Sequence, residues 1–177
     1  LPARVCYLGF GERKALALRV NELIREGVIA GPVGFSRDNL DSGSFVNPTF
    51  ESENMLDGSD LISDWPYLNA LLNTAAMADL VAIQANYSMG EAVHTGVTMI
   101  ADGSEEADLR LEAAMTTDSG IGVVRHAQAG YPLARETAQG RGPLTDEQIK
   151  VPLWWTPEAT FGPEDTTAGR LGPHTAD

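Results

Sequence analysis

The side chains with the most chemistry in this chain sit between residues 37 and 66. Arg37-Asp38-Asn39-Leu40-Asp41-Ser42-Gly43-Ser44 sets one cation and two carboxylates close together, followed by hydroxyls and a bare glycine amide. Arg37 and Asp38 can pair as an ordinary loop brace. Equally, Ser42, Gly43 and Ser44 can offer hydroxyls and backbone amides to an anionic or imidazole ligand. Further on, Asp57, Asp60 and Asp64 read as loop braces and a helix cap. Cys6, taken alone among apolar neighbours, reads as a small buried hydrophobe rather than a nucleophile. Gly9-Phe10-Gly11 has the look of a phosphate turn, but Lys14 takes the third glycine position of the dinucleotide fingerprint. It reads as a turn that geometry requires.

The elements around these residues follow from periodicity. Arg4 to Leu8 reads as a short strand. From Glu12 to Glu26, Leu16, Val20, Leu23 and Ile24 share one helix face, and Gly27 stops the helix. The apolar run from Val28 to Ser36 predicts a strand that feeds the polar loop. That loop is far longer than the roughly 4–6 residues of a usual connection. Long loops at strand ends are where α/β proteins place ligands. A helix starts near Asp64, with Leu68, Leu71, Leu72 and Ala75 as its expected buried stripe. Leu80–Gln84 and Val97–Ala101 predict two more strands. Ser104 caps a third helix, with Glu105 and Glu106 in the first turn and Ala107, Leu111, Ala114 and Met115 on its core face. Gly120–Val124 predicts a last strand. The alternation implies an α/β fold, a parallel or mixed sheet with flanking helices. Residues 1–138 form the expected core domain. Residues 139–177, broken by proline and glycine, form an expected extended tail, with a short helix at Thr145–Lys150 and Trp154 and Trp155 against a body.

Composition narrows the function classes. The chain has 177 residues, 43% of them hydrophobic and 21% charged, as in a soluble globular domain. Acidic residues outnumber basic ones 25 to 12, for a net charge of −13. Such a surface repels nucleic acid and anionic membranes, so neither is an expected partner. A single cysteine excludes an internal disulfide and fits a reducing, cytoplasmic compartment. His94, His126 and His174 lack ligand spacing, so no metal site is expected. The chain opens inside a motif with no starting methionine or signal segment, and reads as part of a longer protein.

Several blocks resemble the C-terminal core of the urocanase (urocanate hydratase) family. They are Leu1-Pro-Ala-Arg-Val-Cys6, Gly9-Phe-Gly-Glu-Arg13, Arg37 to Ser44, Met55, Asp57 to Asp60, and Ser63-Asp-Trp-Pro66. Leu68 to Ala75, Asp102-Gly103 and Arg125 to Tyr131 complete the set. They run in one collinear order over about three quarters of the chain. The resemblance implies addition of water to the imidazole-acrylate of urocanate, giving imidazolone propionate. It also implies tightly bound NAD+ acting as an electrophile without net hydride transfer, the cofactor serving as electron sink. Cys6 matches the family's active-site cysteine position. Asp41 and Asp38 become the acid/base candidates, suited to carrying a proton to the substrate. Arg37, Ser44 and Phe50 become the expected substrate contacts. Family members also carry an N-terminal portion and an inserted dinucleotide-binding domain. Activity is therefore expected only together with those parts, and a homodimer is expected.

Two departures bear on the pocket. After the strand at Leu80–Ile83 the family carries paired histidines and a glycine-rich loop. Here the segment is Gln84-Ala-Asn-Tyr-Ser-Met-Gly90, slightly shorter, which leaves Ser88, Met89 and Gly90 as the positions to touch the cofactor. Phe50 stands where the family has an arginine suited to the substrate carboxylate. Its apolar face would suit a modified substrate, such as a methylated or thio-substituted urocanate. The alternative to this hydratase is a urocanase-derived binding or scaffold protein that has lost catalysis.

Overall fold

The computed structural model describes residues 8–36, 45–46, 55–59, 64–86 and 92–141. In chain order these contain α1 (Glu12–Arg25), β1 (Val33–Ser36), β2 (Phe45–Val46), α2 (Asp64–Ala75), β3 (Leu80–Asn86), β4 (Ala92–Ala101), α3 (Glu105–Ala129) and α4 (Pro132–Ala138). β4 is the central strand. One of its edges pairs with β3 from Leu80↔Thr98 to Asn86↔Ala92. The other pairs with β1 near its end and with β2 near its start.

The α/β class with flanking helices holds. The sheet differs in direction, because every pairing among the described strands is antiparallel. The reason is local. β3 and β4 are joined by a short hairpin rather than a crossover helix, and only a crossover can return a chain parallel.

β4 alternates as a half-covered strand must. Val97, Met99 and Ala101 face the helices and join Ala17, Leu111, Ala114 and Met115 in the core. Phe35 of β1 reaches the same core, in register with Met99. Met99 and Leu111 are fully buried, and each contributes roughly 1.5–3 kcal/mol by leaving water. In the helical layer α3 packs against both α1 and α2, which do not touch each other, while α2 lies over β3.

α3 is the longest element among the described residues, 25 residues. Ser104 caps it: its hydroxyl accepts from the Ala107 amide at 3.0 Å. The Ser104 hydroxyl and amide both donate to Asp102, which holds that carboxyl below the usual range. The expected strand at Gly120–Val124 is instead helix, continuing to a left-handed Gly130. The β-branched residues Ile121, Val123 and Val124 favour a strand locally. Burial of Ile121 and Arg125 on one side of the helix overrides that local preference. The expected strand at Val28–Ser36 is shorter, starting only at Val33, and Val28 is exposed. The segments Arg4–Cys6 and Thr145–Lys150 lie outside the described residues.

The largest correction concerns α2. Leu68, Leu71 and Leu72, expected to be buried, are exposed; Pro66, Asn69, Ala70 and Asn73 are buried instead. The helix is turned so that its asparagines face inward. It ends in a Schellman arrangement: the Met77 amide donates to the Thr74 carbonyl at 3.1 Å, and the Ala78 amide to the Asn73 carbonyl at 3.0 Å. The residue that must turn left-handed is Met77, at φ 62°. A side chain there costs about 1–2 kcal/mol, partly offset in a glycine variant by its freer unfolded chain. Met77→Gly should therefore stabilise the domain by about 0.5–1 kcal/mol, a rise of roughly 2 °C in Tm by calorimetry. An unchanged or lower Tm would refute this account of the turn.

Gly103, at φ 89°, is fixed by a close approach. A Cβ there would lie 3.1 Å from Ile24 Cγ2 and 3.2 Å from the Arg25 nitrogen. The Gly103 amide donates to buried Asn21 at 2.7 Å, and Asn21 in turn donates to the Ser104 carbonyl and to Asp108. This ties the end of α1 to the start of α3.

Candidate functional site

The nine candidate residues, Cys6, Arg37, Asp38, Asp41, Ser44, Phe50, Ser88, Met89 and Gly90, all lie outside the described residues. What is described is the frame from which their segments leave. Ser36, just before residues 37–44, pairs with Thr98, and Phe45, just after them, pairs with His94. These two anchors are four residues apart on β4, about 14 Å at strand rise. The hairpin segment 87–91 begins after Asn86 and ends before Ala92, which pair with each other. The segment holding the acid/base candidates and the segment holding the cofactor candidates are therefore anchored within two residues of each other on β4, at its His94 end. The intervening Thr95, Gly96 and Val97 pair with β3 on one edge and with no described strand on the other.

Behind this end lies a buried polar network. Asp118 of α3, almost fully enclosed, accepts from Asn73 at 2.9 Å and from Asn69 at 3.3 Å. Its second oxygen accepts from Arg13 of α1 at 3.3 Å. Asn73 also donates to the side-chain oxygen of Asn69 at 3.1 Å. One carboxylate thus joins three helices, and a buried carboxylate is sustainable only with such donors. The Asn73 side-chain oxygen is buried and has no partner among the described residues.

The first turn of α2 spans from this network to β4. Thr95 donates its hydroxyl to the Pro66 carbonyl. Arg125 of α3 stacks over Trp65, its guanidinium carbon 5.7 Å from the ring. Loss of hydration on burial pushes that guanidinium down to about 10. His94 is buried on the opposite sheet face, in register with Phe45 of β2 and Gln84 of β3.

The turn before α1 resolves the phosphate question. The Gly9 amide donates at 2.7 Å to the side chain of Glu12. A carboxylate already occupies the place a phosphate would take, and Asp64 opens α2 with another. The described residues therefore do not form a cradle for dinucleotide phosphates. Asp57, by contrast, accepts from both the hydroxyl and the amide of Ser59, which lower its carboxyl as a loop brace does. Among the described residues no group of three His, Cys, Asp or Glu is placed to hold a metal.

Sequence periodicity missed Asn69, Asn73 and Asp118. The signal was present: two asparagines four apart in a leucine-rich helix are poor helix formers, and are tolerated when they bond across a buried face. Arg13, Asn69, Asn73 and Arg125 all fall within the blocks that carry the urocanase resemblance. No helix among the described residues is long and apolar enough to cross a membrane. The family model of the urocanase C-terminal domain matches residues 1–140, and the chain belongs to that family.

Proposed function

We propose that this chain is the C-terminal part of a hydro-lyase of the urocanate hydratase type, adding water to urocanate or a modified imidazole-acrylate. The observation that carries the reading is the match of the urocanase C-terminal domain over residues 1–140. The frame supports it: the segment bearing Arg37–Ser44 rejoins the sheet at Phe45, opposite His94, two residues along β4 from Ala92, where the segment bearing Ser88–Gly90 rejoins it. In this reading Asp41 and Asp38 move a proton to and from the substrate, and Cys6 shapes the pocket wall. Arg37 and Ser44 hold the polar end of the substrate, and Phe50 packs on its ring. NAD+ supplies an electron sink when bound. With no phosphate cradle among the described residues, the dinucleotide would be held chiefly by parts of the protein outside them, with Ser88, Met89 and Gly90 approaching it.

The test uses the full-length gene product. Denaturation should release stoichiometric NAD+, read by mass spectrometry. Incubation with urocanate, or with its methylated or thiolated relatives, should bleach the acrylate ultraviolet absorbance. Absence of both NAD+ and turnover on every one of these substrates would favour a binding or scaffold protein that has left catalysis behind.

A further inference from the structure

We propose that the corner where α3 passes into α4 seats this chain's own residues 142–177, held by apolar contact with Trp154 and Trp155 and by opposite charge. The corner carries apolar side chains that the described residues leave uncovered. Leu133, in the first turn of α4, is 62% exposed, and so is Leu56. Pro132 beside them is exposed as well. They share one surface, because Leu56 lies against Gly130, the left-handed residue that ends α3: a Cβ built there would meet Leu56 Cδ2 at 3.6 Å. Exposed leucines taken singly need no explanation. Here charge and chain connection supply one, and name the occupant.

The chain as a whole carries −13, yet from Ser119 to Arg141 it has three arginines and a single acidic residue, Glu136. Arg125 is buried, but Arg141 is exposed. Arg135 brings its terminal nitrogen to 4.0 Å from the Cβ position of Gly130. Residues 142–177 have the opposite balance, with six carboxylates against Lys150 and Arg170. An acidic segment is therefore drawn to this end of the body and repelled from the rest. The apolar faces of α2 and β3 have no cation to offer it.

Connection favours the same seat. Arg141 follows α4 almost directly, so residue 142 starts beside the corner. Trp154 comes about a dozen residues later, enough chain to span up to roughly 40 Å. α4, with 7 residues, is only about 10 Å long. Val151-Pro-Leu-Trp-Trp155 is uncharged and apolar, and it can turn back over α4 to reach Leu133 and Leu56. Closing a loop of this size costs little more than closing a shorter one. An attached segment also acts at an effective concentration of millimolar order, which favours it over the same segment of a second copy. The segment lies beyond residues 1–140, where the family domain matches, so the contact is an addition to that domain.

The test is limited chymotrypsin digestion of the full chain, following the initial rate of cleavage at the Trp155–Thr156 bond by mass spectrometry. With the segment seated, this rate tracks the fraction of time it is released. Leu133→Glu, at an exposed position, should speed cleavage on the order of 10-fold. Arg141→Glu should speed it about 2- to 5-fold, the scale of a surface charge pair. Leu109→Glu, at a leucine 63% exposed near the start of α3, should leave it unchanged. Far-ultraviolet circular dichroism should be the same in all three. Acrylamide quenching of tryptophan emission should rise in Leu133→Glu, since two of the three tryptophans belong to the segment. Equal cleavage rates in the wild type and Leu133→Glu overturn the proposal, and so does equal acceleration by Leu109→Glu. Protection that fades on dilution from about 50 to about 1 μM also overturns it, because it would seat the segment on a second copy. None of these readouts depends on catalysis, so the hydratase reading stands or falls separately.

Discussion

Replacing Asp118 with alanine should cost the domain about 3–5 kcal/mol, the range seen when one member of a buried ion pair is removed. The carboxylate accepts from Arg13, Asn69 and Asn73 at once. Its loss leaves three donors from two other helices facing a space that water does not freely fill. At the size of this domain that corresponds to a fall of roughly 10 °C in Tm. Asp118→Asn keeps one oxygen for the asparagines and gives up only the charge, so its loss should be nearer 1.5–3 kcal/mol. Urea unfolding of both variants checks the order, with the slope m unchanged if the native fold survives. An alanine variant within 1 kcal/mol of the wild type would mean that the network is incidental.

In the full-length protein, Asp41→Asn should lower kcat by about 10²-fold or more, with KM changed only a few-fold, as expected when a general acid/base loses its proton. The substitution keeps size and hydrogen bonding and removes only the titration. Asp38→Asn serves as the comparison, because either carboxylate could be the one that turns over a proton. Steady-state rates of acrylate bleaching for the two variants decide between them. If both retain full kcat, the acid/base role of this segment is wrong whatever the substrate. Released NAD+ should be undiminished in both, which separates lost proton transfer from lost assembly.

Helices with strong caps were legible in the sequence; exposed and buried faces were less so. α1 and the start of α3 follow from Gly27, Ser104 and the apolar spacing, and the structure places them within a residue of expectation. α2 starts at Asp64 as expected, yet its faces are exchanged. Hydrophobic periodicity locates a stripe, but it assumes that the stripe turns inward. Here a carboxylate on α3, distant in sequence, draws Asn69 and Asn73 inward and leaves the leucines out. No local pattern encodes that partner. The direction of the sheet was hidden for a similar reason: helix–strand alternation does not show that β1 and β3 both lie against one later strand. Of the site, the sequence supplied the residue types, and the structure supplied the rails on which residues 37–44 and 87–91 are mounted. Arg125 was visible only as part of a family block, since its burial depends on Trp65 and the packing of α3.

The β3–β4 hairpin fixes its own alignment through seven consecutive residue pairs, from Leu80↔Thr98 to Asn86↔Ala92. Residues can be gained or lost at the tip of such a hairpin without sliding the strands beneath it. A lineage could therefore shorten or rewrite residues 87–91 while the anchors at Ser36 and Phe45, on the other edge of β4, stayed where they were. The 87–91 connection can be retailored while the anchors of residues 37–44 hold still. That modularity allows a change of diet without a new scaffold.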